Sequence, residues 1–314
     1  MARTPLSGVQ HTLRAGAYEA VIASVGGTVR SLTSDGRDLI VPFEADEVRP
    51  AHRGALLAPW PNRVVDGTYS FDGRDLQVAI NEIARNHALH GLASWLDFVL
   101  VDANASTATL TATIEPQGAY PWRVVVELLF TLDAHGLTQT VTATNESAEA
   151  APWGTGPHPY LVAGAGTVDD WTLTLPAVEV LAVTPDRLIP TGLRPVEADD
   201  PTRFDFREPR QIEAVEIDHA YTGLARDDNG IATVRVEAAD GHGVQMTWDA
   251  ACPWVQIHTA DKGVGKPGHR TGLAVEPMTC APDAFNAANY DYDAGLIVLE
   301  PGASSAASWT ISAF

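Results

Sequence analysis

The sequence is poor in lysine and in positive charge. Only two of its 314 residues are lysine, Lys262 and Lys266. Twenty Lys and Arg residues face forty Asp and Glu residues, so the formal net charge is −20 at pH 7. A surface this acidic repels the phosphates of nucleic acids and the anionic heads of lipids. We therefore expect neither nucleic acids nor membranes as partners.

Cysteine and long apolar runs are also scarce. The only cysteines, Cys252 and Cys280, show neither zinc-site spacing nor a disulfide framework, which favours two reduced, partly buried thiols. Residues 1–14 lack the apolar core of a signal peptide, and no run approaches the ~18 apolar residues of a membrane helix. We therefore expect the protein in the cytoplasm. A Gly-rich phosphate loop and a Gly-x-Ser-x-Gly elbow are missing too, and we expect neither a metal nor a cofactor. We expect a monomer or homodimer.

Helical periodicity is rare, and a period of two dominates between the frequent Gly and Pro residues. Residues 209–217 and 282–289 could each form two or three helical turns. Apolar and polar residues alternate elsewhere as in strands with one dry face and one wet face, most clearly over residues 109–114, 137–145, 171–175 and 244–248.

Residues 123–132 are more continuously apolar, which predicts a strand buried on both faces. Asp66-Gly67 and Asp72-Gly73 flank a short strand-like run and favour tight type I′ turns. No change of composition divides the chain. We predict one all-β domain over residues 1–314, with two large antiparallel sheets packed face to face and few short helices.

Four segments place reactive polar residues beside Gly or Pro, where sandwich folds often present function. In the first, Arg63 precedes the Asp66-Gly67 turn and could hold hydroxyl groups with its planar fork of donors; a surface ion pair is the alternative. In the second, His87 and His90 could suggest a metal site, but no third ligand has suitable spacing. His90, next to Gly91, is the better candidate for hydrogen bonding or acid–base chemistry.

The third and fourth segments carry a candidate acid and a candidate base. His158 lies between Pro157 and Pro159, which restrict its backbone and suit a side chain that must be aimed; a histidine of the core is the alternative. Glu276 follows an apolar run and precedes Pro277, so partial desolvation could raise its pKa into the range of a general base. An exposed acid at a strand end is the alternative.

Taken in order, the four segments resemble the aldose 1-epimerase (galactose mutarotase) family. The resemblance covers residues 57–302 and depends on Asn62-Arg63-Val64 through Asp72-Gly73, Asn81, Leu89-His90-Gly91, Tyr120-Pro121, Asn145, His158-Pro159-Tyr160, Glu276-Pro277-Met278-Thr279, Pro282, Asn286 and Pro301-Gly302. It implies an isomerase with a large antiparallel β-sandwich that interconverts the α and β anomers of a free hexose.

The resemblance also implies roles for individual residues. Glu276 matches the family's general base and His158 its general acid. His90 and Arg63 match residues that bind the ring-oxygen region and the hydroxyls, and Asp218 looks like the acid that binds a pair of sugar hydroxyls.

Two departures leave the choice of sugar open. Gly91-Leu92 stands where many members carry Gly-Gly, and His158 is followed by Pro-Tyr-Leu rather than Thr-Tyr-Phe-Asn, as in a divergent bacterial branch and in hexose-6-phosphate epimerases. An epimerase for an anionic hexose would need extra cations, for which Arg53, Arg85 and Arg270 are candidates. A non-catalytic carbohydrate-binding protein is a further alternative.

An alternating stripe adds an aromatic candidate. Trp254, Gln256 and His258 share one face of a strand-like run, where an indole could pack against a pyranose. Such a stripe is more typical of plain core.

Overall fold

The computed structural model describes residues 3–314, and 47% of the chain is in strands against 6% in helices. The strands are β1 Gln10–Ala15, β2 Tyr18–Ala23, β3 Thr28–Ser34, β4 Arg37–Asp38, β5 Leu56–Leu57, β6 Arg63–Val65, β7 Thr68–Phe71, β8 Arg74–Gln77, β9 His87–Leu89, β10 Val99–Ala103, β11 Thr107–Ile114, β12 Val124–Asp133, β13 Gly136–Asn145, β14 Ala151–Trp153, β15 Gly156–Pro157, β16 Tyr160–Leu161, β17 Thr172–Thr174, β18 Ala177–Val183, β19 Pro190–Pro195, β20 Arg210–Gln211, β21 Asp218–Leu224, β22 Ala232–Glu237, β23 Gly243–Trp248, β24 Trp254–His258, β25 Leu273–Met278, β26 Ile297–Leu299 and β27 Ser304–Ala313.

The helical segments are short. One α-helical turn, α1, covers Pro201–Phe204, and 3₁₀ helices cover Pro50–His52, Ala93–Trp95, Val168–Asp170 and Ala284–Asn289. Among residues 3–314, no helix is long and apolar enough to cross a bilayer.

Two large antiparallel sheets form the sandwich, as the alternating pattern predicts. One sheet has nine strands in the order β10-β11-β12-β13-β27-β23-β22-β17-β20, and the other has six in the order β16-β25-β24-β21-β18-β19. Strands β1–β4 form a further sheet, and two-stranded ribbons pair β5 with β15, β6 with β9, β7 with β8, and β14 with β26. One cluster of buried apolar side chains, from Leu13 to Ile311, includes residues of both large sheets.

The alternating strands lie where the sequence predicts them. In β13, the apolar residues Leu137, Val141 and Ala143 are buried, while the threonines between them are half-buried. Residues 171–175 shorten to Thr172–Thr174 because the backbone N–H of Trp171 bonds to the carbonyl of Val168 and so caps the preceding 3₁₀ helix.

The prediction that residues 123–132 are buried on both faces is wrong. Buried and more exposed residues alternate along β12, where Glu127 and Leu129 are exposed. The strand pairs with antiparallel neighbours on both edges, β11 and β13, but only one face of their sheet meets the core.

The helix prediction for residues 209–217 is also wrong. Arg210 and Gln211 instead form β20, which pairs with Thr172 and Leu173 at the edge of the nine-stranded sheet. Long-range strand pairing therefore overrides the local pattern. Residues 282–289 do contain a helix, of the 3₁₀ type, and the turn α1 was not predicted.

The predicted turn residues take left-handed backbone angles. Asp72 and Gly73, with φ of 49° and 71°, close the β7–β8 hairpin, as a type I′ turn requires. Asp66 and Gly67 also have positive φ, but they join β6 and β7, which pair with different partners. Both cysteines are free and buried.

Candidate active site

A pocket of about 320 Å³ lies over one face of the six-stranded sheet. Its volume is at the lower end of the range for small-molecule sites, about 300–1,000 Å³. The lining residues are Ala51, His52, Asn62, Arg63, Glu82, Arg85, Leu89, His90, His158, Tyr160, Asp218, Gln256, His258, Asp261 and Glu276. All five site residues that the sequence predicts are therefore brought together.

Strand register explains why residues far apart in sequence meet. In the β24–β25 pair Gln256 lies opposite Glu276, and in the β21–β24 pair Asp218 lies opposite His258. Side chains of directly paired residues share a face, as do residues two apart on a strand. These four side chains consequently point into the same pocket.

Glu276 is buried, with an exposed side-chain fraction of 2%. Its Oε1 lies 3.4 Å from Nε2 of His158, and its Oε2 has no hydrogen-bond partner among residues 3–314. Burial and the nearby charge of Asp218 raise the pKa of Glu276 well above its ordinary value, and the charge of Arg63 opposes them only in part. The alternative of an exposed strand-end acid does not apply.

His158 is fixed by its backbone. Its N–H donates to the carbonyl of Ala55 at 3.1 Å, and its carbonyl accepts from the N–H of Gly54 at 2.8 Å. Burial, followed by the charges of His52 and His258, lowers the pKa of His158 well below its ordinary value. The side chain is thus buried like a core histidine, yet it faces the pocket.

His90 approaches His158 from the other side, with the ring centroids 4.9 Å apart. His90 has a φ of 64° and donates its N–H to the carbonyl of Asn62 at 2.7 Å. Gly91 follows with a φ of 69°, and a Cβ there would lie 2.1 Å from the carbonyl oxygen of Ala58. Only glycine fits this position without displacing backbone. Burial lowers the pKa of His90 well below its ordinary value, so it is neutral near pH 7.

Arg63 is buried and lies at the centre of a charge network whose carboxylates are half-buried. Its Nε and Nη2 donate to the two carboxylate oxygens of Glu82 at 2.8 and 3.0 Å, and Nη2 lies 3.7 Å from Oδ2 of Asp218. Burial by itself would lower the pKa of Arg63, but Glu82, Asp218 and Glu276 raise it overall. The ion pair that the sequence left as an alternative exists, but it lines the pocket.

Asp218 is held from two sides. Besides facing Arg63, its Oδ1 accepts a hydrogen bond of 2.7 Å from Nε2 of Gln256. Burial by itself would raise the pKa of Asp218, but the charges of Arg63 and His258 lower it, so the group is ionised at neutral pH. An ionised carboxylate in a pocket can accept hydrogen bonds from two hydroxyls.

His87 does not line the pocket, whereas His90 does. Its Nε2 is 2.8 Å from the carbonyl of Arg187, and its Nδ1 accepts from the N–H of Asp66 at 3.2 Å. Within residues 3–314, no group of three or more His, Cys, Asp and Glu side chains is arranged to hold a metal ion.

Several lining residues were missed by sequence reasoning. Glu82 and His52 lie in segments without a distinctive motif, and Tyr160 was noted only as part of a motif. Gln256 and His258 belong to the predicted stripe and do line the pocket. Trp254 lies outside the pocket lining, buried with its ring 5.7 Å from that of Tyr292, so the interpretation of a sugar-stacking indole is wrong for it.

Comparison with known proteins agrees with this geometry. The sequence profile of the family described as Aldose 1-epimerase matches residues 9–312. The uncharacterized protein YihR of Escherichia coli K12 is 35% identical over 300 residues, which cover 94% of this chain and 90% of that protein. The chain belongs to the aldose 1-epimerase family.

Other members are more distant. Galactose mutarotase of Bos taurus is 26% identical over 311 residues, covering 90% of this chain and 86% of the bovine one. The crystal structure of a GalM/aldose epimerase homologue from C. elegans superposes with a TM-score of 0.82 at 19% identity, covering 98% of this chain and 99% of that one. Galactose 1-epimerase from Lactobacillus acidophilus superposes with a TM-score of 0.81 at 16% identity, covering 100% and 97%. These two structures share the galactose mutarotase-like fold.

Proposed function

We propose that this member of the family is an aldose 1-epimerase that interconverts the α and β anomers of a free hexose. The observation that carries the proposal is the pair Glu276 and His158, whose Oε1 and Nε2 lie 3.4 Å apart at the wall of a pocket large enough for one sugar ring. A pure binding site has no need of a carboxylate and an imidazole desolvated side by side.

The pair supplies both proton transfers of the reaction. Because burial raises the pKa of Glu276 and lowers that of His158, their shared proton starts on Glu276, and its transfer to Nε2 of His158 gives the reactive form. In that form the Glu276 carboxylate takes the proton of the O1 hydroxyl while protonated His158 gives its proton to the ring oxygen O5. The C1–O5 bond breaks, and its electron pair stays on O5 as O1 becomes the carbonyl oxygen. Rotation about C1–C2 presents the other carbonyl face, and closure with both proton transfers reversed gives the other anomer. Positioned acid and base groups each contribute about 10²–10⁴-fold.

The remaining residues hold the sugar. His90 donates or accepts a hydrogen bond near O5, since it is neutral and its ring adjoins that of His158. Arg63 donates to ring hydroxyls and Asp218 accepts from them. Because Glu82 and Gln256 already fix these two side chains, little side-chain entropy is lost on binding.

Polarimetry of freshly dissolved α-glucose and α-galactose tests the proposal. We expect the protein to accelerate the approach to the unchanged final rotation. If neither sugar responds but isothermal calorimetry detects binding, the chain is a carbohydrate-binding protein and the proposal is wrong.

The rate should depend on pH as a bell. Burial raises the pKa of Glu276 and lowers that of His158, so the pair carries one proton over an intermediate range. Lowering the pH adds a second proton and removes the base, whereas raising the pH removes the shared proton and with it the acid. We expect kcat/KM, measured between about pH 4 and pH 9 and corrected for the spontaneous reaction, to fall on both sides. A flat profile would contradict an acid–base pair.

An epimerase for an anionic hexose is the second candidate, and one specific observation favours it. A methyl group on Gly268 would lie 3.1 Å from both Nη2 of Arg53 and Nζ of Lys262, so these two cations converge on one spot. Neither forms an ion pair with a carboxylate in the described part of the chain. Each directly follows a lining residue of the pocket, His52 and Asp261 respectively.

The other two candidate cations are less suitable. Arg85 lines the pocket, but its Nη1 donates to Glu82 at 2.9 Å. Arg270 is buried and already bonded to Asp169 and Asp261, so its prediction as an anion ligand is not supported.

Comparing glucose with glucose 6-phosphate separates the two candidates. The second candidate predicts a higher kcat/KM for glucose 6-phosphate than for glucose. In Arg53→Met the kcat/KM for glucose 6-phosphate should fall about 10-fold, because one charge-assisted hydrogen bond is removed, and the value for glucose should not change. Lys266→Met, an exposed lysine of the same segment, is the matched control and should change neither sugar. A preference for glucose that Arg53→Met leaves intact supports the free hexose.

A further inference from the structure

The segment that carries His52 has an unusual backbone. Ala51 and His52 are consecutive residues with φ of 48° and 55°, in the left-handed region that non-glycine residues rarely adopt. Such a conformation persists only where the surroundings hold it in place.

The surroundings here are built around a buried arginine. The Nη1 of Arg49 donates to Oγ1 of Thr28 at 2.7 Å and to the carbonyl of Val25 at 3.2 Å, and its Nη2 donates to the carbonyl of Ser94. Its guanidinium also lies 4.4 Å from the ring centre of Trp95. Arg49 thus ties the segment to two distant parts of the chain, immediately before the residues with left-handed angles.

The result is an imidazole aimed into the pocket with its hydrogen-bonding capacity unused. The ring centroid of His52 lies 4.7 Å from that of His90 and 6.2 Å from that of His158. Its Nδ1 is buried without a partner, and no side-chain hydrogen bond of His52 is found among residues 3–314. Burial, together with the charge of Arg49, lowers the pKa of His52 to about 4, so the ring is neutral at pH 7 and offers one donor and one acceptor.

The position of His52 in the pocket identifies the part of the sugar that it faces. Glu276, which faces O1, contacts His158 through its Oε1 at 3.4 Å, whereas His52 packs against His90 and His158 at O5. In a pyranose, O5 is bonded to C1 and C5. The direction from Glu276 past His158 therefore leads from O1 through O5 to C5 and its substituent.

We propose that His52 binds the hydroxymethyl group on C5 of the hexose, through a hydrogen bond to O6, and so selects sugars that carry an oxygen there. The proposal rests on the proposed function, because the assignment of Glu276 to O1 and His158 to O5 orients the sugar. It gives the unpartnered imidazole a ligand of matching chemistry.

The test compares glucose with 6-deoxyglucose, which lacks only O6. His52→Phe keeps an aromatic ring against His90 but removes both ring nitrogens, and His242→Phe, an exposed histidine on the β22–β23 hairpin, is the matched control. We expect wild type and control to prefer glucose by about 10-fold in kcat/KM, as the loss of one hydrogen bond predicts. In His52→Phe the kcat/KM for glucose should fall by this factor, mostly through a higher KM, and the kcat/KM for 6-deoxyglucose should not change. His52→Gln should recover part of it.

The outcomes separate this inference from the proposed function. An equal loss on both sugars, with unchanged thermal melting, would overturn the O6 contact while leaving the epimerase reaction intact. If wild type accelerates the interconversion of neither sugar, the proposed function fails. Calorimetry then compares the binding of glucose and 6-deoxyglucose to wild type and to the three variants, and this shows whether His52 contacts O6. Absence of binding to either sugar would overturn both.

Discussion

Glu276→Gln is expected to slow the enzyme-catalysed interconversion of glucose anomers by about 10²–10⁴-fold, because the amide cannot accept the O1 proton. The substitution keeps the size of a side chain that is buried and whose pKa is raised by desolvation. The uncharged amide is therefore no harder to bury than the carboxylate, and the melting temperature of Glu276→Gln should equal or exceed that of the wild type. Polarimetry and thermal melting on the same samples check both expectations.

Glu127→Gln is the matched control for this prediction. Glu127 is exposed on β12 of the nine-stranded sheet, so its amide variant should be fully active. Turnover by Glu276→Gln at the wild-type rate would remove Glu276 from the role of base.

Arg63→Met should destabilise the fold and abolish sugar binding together. It leaves the half-buried carboxylates of Glu82 and Asp218, with side chains 12% and 28% exposed, without their cation. Removing one partner of a fully buried pair costs about 3–5 kcal/mol. Arg85 still contacts Glu82, so we expect the lower end of this range. Urea unfolding measures the loss in the free energy of unfolding, and calorimetry with glucose measures the loss of binding.

The pH dependence of that loss gives an independent check. Arg63 holds the pKa values of Glu82 and Asp218 below their ordinary range, so in the wild type their stabilisation is present above the ordinary carboxyl pKa and disappears as the pH falls through the lowered values. In Arg63→Met the unpaired carboxylates are most costly near pH 7, and their protonation at lower pH relieves the cost. The difference between variant and wild type should therefore shrink on acidification.

Two further variants sharpen this test. Arg63→Met combined with Glu82→Gln should recover part of the lost stability, because it removes one of the unpaired charges, but it should not recover binding. Arg63→Lys keeps the charge and loses the two-pronged contact with Glu82, so it should be intermediate in both. If Arg63→Met unfolds at the wild-type urea concentration, the charge network around Arg63 does not stabilise the fold.

Local patterns in the sequence were enough for the fold class and for the motif-borne part of the site. The threonine-rich alternation of β13 and the Asp72-Gly73 turn follow from side-chain and backbone preferences within a few residues. Arg63, His90, His158 and Glu276 could be singled out because glycines and prolines beside them mark special backbone positions. The order of these motifs along the chain then indicated the family.

What the sequence could not determine depends on which strands pair and in which register. The β24–β25 and β21–β24 registers bring Gln256 and His258 next to Glu276 and Asp218, and no local signal encodes a contact between such distant residues. Glu82, from the segment between β8 and β9, becomes the partner of Arg63, and residues 209–217 form an edge strand instead of a helix. His52 enters the pocket from a segment that Arg49 ties to Thr28 and Ser94, which are distant in sequence. The sequence by itself determined the sandwich and the reactive residues through short-range preferences, whereas the partners and environments of those residues were decided by long-range packing in the tertiary structure.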